Sequence, residues 1–384
     1  MGNDSIGLAD RLRTASFYNL YPVVNEVHTT AFEKHPEMLE ASRNPGLKEE
    51  GLFVDELTGR VFGPEMRNVP ALYGRSALMS FYSLLAGLTV VEELRVPYRR
   101  IPVYKVDSLR DLKLAVSEVS GNSHHLKPLL RGQNTLYLTE WRDTRSPDSF
   151  EQFYGELVKE PSFLPSFFRQ DFDELTIRNI WHSQASYILN DVGVDLESRL
   201  TESQWKEYLK DSMQVRFGPH MDFFALAIAQ HYGLPSIGLD LSDQLEVALW
   251  FALHTIRTQS GKAEVGRIGP GYSPTLFVFF CPEAAVFDYD SVRPVHFAEG
   301  RPDRQRAWFC HVGWGMARNQ LANYLACAFR LDESFLEDLP EELTRHLFPS
   351  RDEDPTLDAF LNQKDNSKFR GEVKRALDCL YEVV

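Results

Sequence analysis

Residues 223–253, FFALAIAQHYGLPSIGLDLSDQLEVALWFAL, constrain the fold more than any other part of the chain. Phe223, Leu226, Ala227 and Ala229–Gln230 recur at helical spacing, and Gly233 with Pro235 stops that helix. Ser236 to Leu241 is too short for another helix and reads as a buried strand. Ser242 and Asp243 have the chemistry of an N-cap, with Glu246 in the following turn. Leu245, Ala248, Leu249, Ala252 and Leu253 then form an apolar stripe. The order is helix, turn, strand, capped helix. Small polar side chains, Asp240 and Ser242, stand where strand meets helix, a common place for a pocket.

QHYGLPxxxLDxS followed by ALxFA resembles the central motif of the FRG domain family of prokaryotic proteins. Three further segments strengthen the resemblance. Leu130-Arg131-Gly132-Gln133 is similar to the motif that names the family, with Leu where Phe or Tyr is usual. Phe163-Leu164-Pro165-Ser166-Phe167-Phe168-Arg169 resembles its LxPSLFR segment, and Arg301, Gln305, Ala307 and Phe309 resemble its RxxxQxGxF strand, with Ala for Gly. The ordered matches span about 104–330.

A chain of 384 residues can bury a large core, and its length suggests two or three domains. Apolar content of 43% and charged content of 25% are ordinary for a globular protein. No apolar run approaches the roughly 18 residues of a transmembrane helix. MGNDSIGLADR lacks a signal peptide, and Ile6 stands where a myristoylation motif needs Ser or Thr. The four cysteines are scattered, without CxxC pairing, so a reducing cytoplasm without a metal site is the expected setting. The net charge of −14 argues against wholesale wrapping of nucleic acid. Half of that charge resides in 331–384, which leaves room for a local basic site elsewhere.

Three regions follow from the patterning. Residues 1–100 read as mainly helical, with a helical repeat from Ala71 to Leu94 through Leu78, Phe81, Leu84–Leu85 and Leu88. Residues 101–330 form the core. IPVYKV alternates as a strand, Ser108 with Asp111 opens a helix, and 126–138 reads as a strand around Arg131. A polar, aromatic-rich helical insertion occupies about 140–215. Leu276 to Phe280, Val292 to Phe297 and Trp308 to Val312 complete the strands. Residues 331–384 read as acidic amphipathic helices, and Phe369-Arg370-Gly371, which repeats the family letters, falls among them as a decoy. His124 and His125 have no partner at ligand spacing.

The order Arg–Gly strand, Ser-ended strand before an AxxF helix, and Gln segment resembles the ADP-ribosyltransferase fold. That resemblance implies an α+β protein with a split antiparallel β-sheet core and inserted and flanking helices. It assigns the Arg–Ser–Glu positions to Arg131, to Ser242 with Ala248 and Phe251, and to Gln305. NAD is then the substrate, cleaved at its nicotinamide bond through an oxocarbenium-like transition state. Arg131 forks to a phosphate or ribose oxygen, Gly132 lets the backbone approach the ligand, and Gln133 completes the motif. Ser242 holds Arg131 or a ribose hydroxyl, and Asp240 lies beside it. His231 or Tyr232 meets the nicotinamide end, and Arg301, within the Arg293, Arg301, Arg304 and Arg306 group, receives pyrophosphate or a nucleic-acid acceptor.

Glutamine cannot supply the negative charge that a glutamate would at position 305, so Glu299 or Asp303 is a candidate replacement. The expected function is transfer of ADP-ribose to RNA, DNA or protein. The role would be that of a toxin or anti-phage defence effector, with an antitoxin or chaperone as a further partner. A non-catalytic nucleotide- or nucleic-acid-binding module, or a structural partner protein docking through 71–94 and the acidic tail, is the alternative. Asp240, Ser242 and His231 also have the residue types of a hydrolytic triad, but Ser242 lacks the G-x-S-x-G elbow.

Overall fold

The computed structural model describes residues 53–54, 61–62, 79–80, 85, 87–96, 99–123, 126–140, 159–169, 172, 227–228, 230–236, 238–259, 261–281, 286–293, 299–311, 319–365 and 368–384. Most of the expected insertion at 140–215, and His124–His125, lie outside them. So does most of 1–100.

Two-residue strands β1 (Phe53–Val54) and β2 (Val61–Phe62) pair with each other. β3 (Met79–Ser80), β4 (Val90–Val96) and β5 (Arg99–Lys105) belong to the main sheet. This corrects the end of the helical repeat expected over Ala71–Leu94, whose Leu78, Phe81 and Leu84 lie outside the described residues. The last residues of that repeat are a strand, with Leu94 and Val96 buried and Glu93 exposed. Pairing along β5 satisfies the backbone of this Val-rich segment, and sheet packing overrides helical spacing. The described elements of 1–100 are chiefly strands.

Helix α1 (Leu109–Gly121) begins as the sequence implies. Ser108 Oγ accepts from Asp111 N at 3.1 Å and donates to its carboxylate at 2.7 Å. β6 (Lys127–Gln133) is followed by the β7 (Leu138–Glu140) and β8 (Lys159–Pro161) pair. β9 (Gly238–Ser242) leads into α2 (Leu245–Leu253). Gln244, not Ser242 or Asp243, is the N-cap of α2, and Ser242 Oγ accepts from Gln244 N at 3.1 Å in a turn one step earlier.

β10 (His254–Gln259) and β11 (Lys262–Arg267) form a hairpin. β12 (Thr275–Cys281) has all its residues buried, as the run TLFVFFC requires of a central strand. β13 (Val286–Asp288), α3 (Tyr289–Val292), α4 (Arg301–Arg304), β14 (Ala307–His311) and β15 (Leu325–Arg330) follow. Val292 therefore ends a helical turn, not the start of the expected strand; residues 294–298 lie outside the described ones.

The nine-stranded sheet runs β13-β14-β9-β6-β12-β15-β5-β3, with β4 on β5. The protein is α+β. The sheet is mixed, not purely antiparallel: β15 and β3 both pair parallel with β5. The chain leaves β5 through α1 and returns as β15 only after the rest of the core is built, so no hairpin dictates the direction of that pair.

One face of the sheet packs Leu130, Leu276 and Val278 against α1 and α2. The other packs Leu129, Phe277 and Phe279 with Leu239, Leu241 and Phe163. The acidic tail is not a detached surface. Helix α5 (Leu343–Leu347) packs Leu347 against Val247 and Trp250 of α2, and α6 (Pro355–Lys364) and α7 (Gly371–Leu377) bring Leu357, Phe360 and Leu377 into a third cluster with Tyr232, Leu234 and Phe309. β16 (Glu382–Val383) then pairs parallel with β11. Phe369-Arg370-Gly371 stands at the start of α7, far along the chain from the Arg131 strand.

Gly132 is where β6 meets α2. A Cβ there would fall 1.8 Å from the Ala248 carbonyl oxygen and 2.6 Å from the Ala252 nitrogen. The glycine serves strand-to-helix contact. Gly132→Ala is therefore expected to lower stability by about 1–3 kcal/mol or more, because backbone must move. Urea unfolding with an unchanged midpoint in this variant would contradict that contact.

Candidate functional site

The sheet has a seam. β6 and β9 pair at a single position, Leu130 with Ser242, and then diverge. Arg131, next along β6, reaches over the opening, and its Nη1 donates to the Asp240 carbonyl at 2.6 Å. A cleft opens here in two adjoining lobes of about 490 and 510 Å³. Arg131, Gly132, Arg169, Phe251 and Ile256 line both lobes.

Arg169 reaches the cleft from the helical turn Ser166–Arg169. Ser236 N donates to Ser166 Oγ at 2.9 Å, and Phe167 N donates to the Ser236 carbonyl at 3.1 Å, which pins that turn. Desolvation, joined by the charge of Arg169, lowers the Arg131 pKa to about 10 against the raising effect of Asp240. Desolvation also lowers Arg169. Among the described residues no carboxylate lies within ion-pair distance of either guanidinium. Two guanidiniums facing one opening, Arg131 half-buried and Arg169 exposed, are an arrangement suited to an anion.

Asp240 and His231 stand on the wall of the first lobe. His231 Nε2 lies 3.2 Å from Asp240 Oδ1, with the imidazole 1% and the carboxylate 26% exposed. Burial lowers the His231 pKa, although Asp240 and Gln305 favour its protonation. Burial raises the Asp240 carboxyl, and the charges of His231 and Arg131 pull it back down.

The remaining sequence candidates divide. Ser242 and Gln305 reach the wall and are bonded to each other, since Ser242 Oγ donates to the Gln305 carbonyl at 3.0 Å. The Gln305 amide donates to the Leu347 carbonyl at 3.0 Å and so is held by the tail. Gln305 is not on a strand as expected. It closes α4, and Arg306 with φ 47° turns the chain into β14. Gln133 lines the second lobe, its Nε2 donating to the Ser162 carbonyl at 3.2 Å.

Tyr232 and Arg301 do not reach the cleft wall. Tyr232 is fully buried, its hydroxyl 2.8 Å from Asp354 Oδ2. Arg301 is 1% exposed, with its guanidinium over the rings of Tyr232, Phe348 and Tyr381 and its Nη1 donating to the His231 carbonyl at 3.0 Å. It braces the site from behind and is out of reach of a pyrophosphate. Glu299 is exposed and away from the wall. Asp303 is held in a salt bridge with Arg293 at 3.0 Å.

Residues 153–261 match the family model of the FRG domain. No curated protein and no solved structure matches the chain. The FRG match takes in the Arg169 turn, the His231 turn, β9, α2 and β10, which together make one side of the cleft. Leu130–Gln133 and Arg301–Phe309 lie outside the match, yet β6 and β14 flank β9 directly. Arg169 lies in a sequence motif that gave it no role at the site, and Tyr381 and Phe348, which line the first lobe, carry no local signal in the sequence. Only folding brings those tail residues to the FRG segment. Among the described residues no cluster of His, Cys, Asp or Glu is placed to hold a metal, and no helix is long and apolar enough to cross a membrane.

Two consequences are measurable. Asp354 caps α6 by accepting from Thr356 N and Leu357 N at 3.1 and 3.0 Å, and also accepts from Tyr232 and from Arg301 N. Asp354→Ala removes the cap and strands two buried donors, so a loss of about 3–5 kcal/mol is expected in chemical unfolding. For His231 the sign follows from its lowered pKa. The unfolded chain binds the proton more readily, so this contribution to stability is present above the ordinary value of 6.5 and is lost as pH falls through the folded value. Between pH 7 and pH 5 the wild type is expected to lose more stability than His231→Gln; equal losses would contradict a lowered His231 pKa.

Proposed function

We propose that the cleft binds NAD and that the protein transfers its ADP-ribose moiety to a macromolecular acceptor. The observation that carries this reading is the pair of lobes meeting at Arg131 and Arg169. A dinucleotide is two nucleosides joined by a pyrophosphate, and each lobe is within the size range of small-ligand pockets. The pyrophosphate sits at the two guanidiniums, with one nucleoside in each lobe. Phe251 supplies an apolar surface common to both, and the second lobe offers the Tyr137 ring and the amides of Gln133 and Asn134. The first lobe, which holds Asp240, His231 and Ser242, takes the nicotinamide riboside. There the backbone at Ser242 is fixed by two hydrogen bonds of its own hydroxyl. An activity of this kind suits a toxin or anti-phage effector held in check by an antitoxin.

A second reading has its own support. The Gln305 amide is committed to the Leu347 carbonyl, and position 305 carries no charge. That favours a module that binds a nucleotide without cleaving it.

Nicotinamide release from NAD by the purified protein, with and without cell lysate, separates the two. The transferase reading expects release that rises with lysate and falls at least about 100-fold in Arg131→Ala, the scale of a lost electrostatic stabiliser. NAD binding without release supports the module, and absence of both in the wild type removes NAD from the account. Labelled NAD in the lysate reaction identifies the acceptor.

A further inference from the structure

We propose that Asp240 is the catalytic carboxylate of this cleft and that His231 is its positioning residue; the inference rests on the reading of the cleft as a NAD-consuming site. Among the described residues lining the two lobes, Asp240 is the one acid. Glu299 is exposed elsewhere, and Gln305 is neutral and tied to the tail. The carboxylate is divided between two environments. Its Oδ1 is buried and faces His231 Nε2 at 3.2 Å, while the group as a whole keeps 26% of its surface open. Its own main-chain carbonyl is held by Arg131. The acid is thus one residue's breadth from the cation assigned to the pyrophosphate, within the span of a single nucleotide.

The backing of the pair is built for position. His231 is held through its carbonyl by Arg301, which is itself caged by three aromatic rings. The imidazole Nε2 and Asp240 Oδ1 are both buried without a well-formed hydrogen bond. A pair left under-satisfied beside an open lobe is poised to tighten when a ligand arrives.

The step balances without a further reagent. The bond between ribose C1′ and the nicotinamide nitrogen breaks, and its electron pair neutralises the pyridinium as nicotinamide leaves. The Asp240 carboxylate lies against the cationic C1′–O4′ unit that results. The acceptor heteroatom gives a lone pair to C1′, and its proton passes to Asp240 and on to solvent. No redox change occurs.

Asp240→Asn keeps the shape and removes the charge. Binding is read with carba-NAD, which keeps the phosphates and resists cleavage, and chemistry is read by nicotinamide release. The expected result is carba-NAD affinity within about threefold of wild type with release down about 100-fold or more, the scale of one lost electrostatic contact. Full release by Asp240→Asn overturns the inference and leaves the transferase reading standing. A wild type that neither binds carba-NAD nor releases nicotinamide overturns the transferase reading itself.

His231→Gln supplies a readout that a merely structural role would not move. The charged or polar groups facing Asp240 are His231, Arg131, Gln230 and Tyr381, while Arg301, Gln305 and Asp354 act on His231. Removing His231 takes away a partner that favours the ionised carboxylate. The acid limb of the release profile is then expected to move to higher pH. An unshifted limb overturns the pairing, and it decides the matter should Asp240→Asn fail to fold.

Discussion

The hydrogen bond from Arg131 to the Asp240 carbonyl is the interaction on which the site depends. It stands where a strand ladder should continue and does not. β6 and β9 share one rung, and beyond it a guanidinium takes the place of a backbone donor. A carbonyl left bare at such a seam would carry the cost of an unmade bond, and a closed ladder would leave no room for a cleft. Arg131 satisfies the carbonyl and keeps the opening. The next residue has the opposite task, since Gly132 lets β6 lie directly on the backbone of α2 and holds the seam at a fixed width.

Support for this seam comes from the far end of the chain. Asp354 collects donors from Tyr232, Arg301 and the start of α6, so one carboxylate joins the His231 turn, the α4 turn and the tail. Arg301 lies among rings and sends its hydrogen bonds to main-chain carbonyls of residues 231 and 381. Leu347 takes the Gln305 amide. The FRG match ends at residue 261, yet the back of the pocket is made from residues well beyond it.

Some of this was legible before folding. Gly233 and Pro235 mark the end of the His231 helix, and Gly233 does adopt φ 99°. The apolar run Leu276 to Phe280 read as a strand and is one, and Ser108 with Asp111 specified the start of α1. The placement of Arg131 on a strand and of Ser242 at the end of another also held, because local alternation and turn chemistry act over a few residues. Val90–Val96 misled because its apolar spacing suits two periods, and the choice lay with β5 alongside. Gln305 misled because a motif resembling a strand includes the helical turn that precedes it.

What the sequence determined by itself is therefore local: where elements begin and stop, and which residue types gather near one another along the chain. Tertiary structure decided which polar side chains face the cleft. Tyr232 and His231 are neighbours in one turn, yet one is locked onto Asp354 in the core and the other meets Asp240 at the wall. Arg301 and Arg169 are both arginines in family-like motifs, and only Arg169 reaches the opening. The physical reason is that burial and partner choice depend on strands and helices distant in the chain, and a hydrogen-bonding side chain turns toward whichever partner the packing supplies.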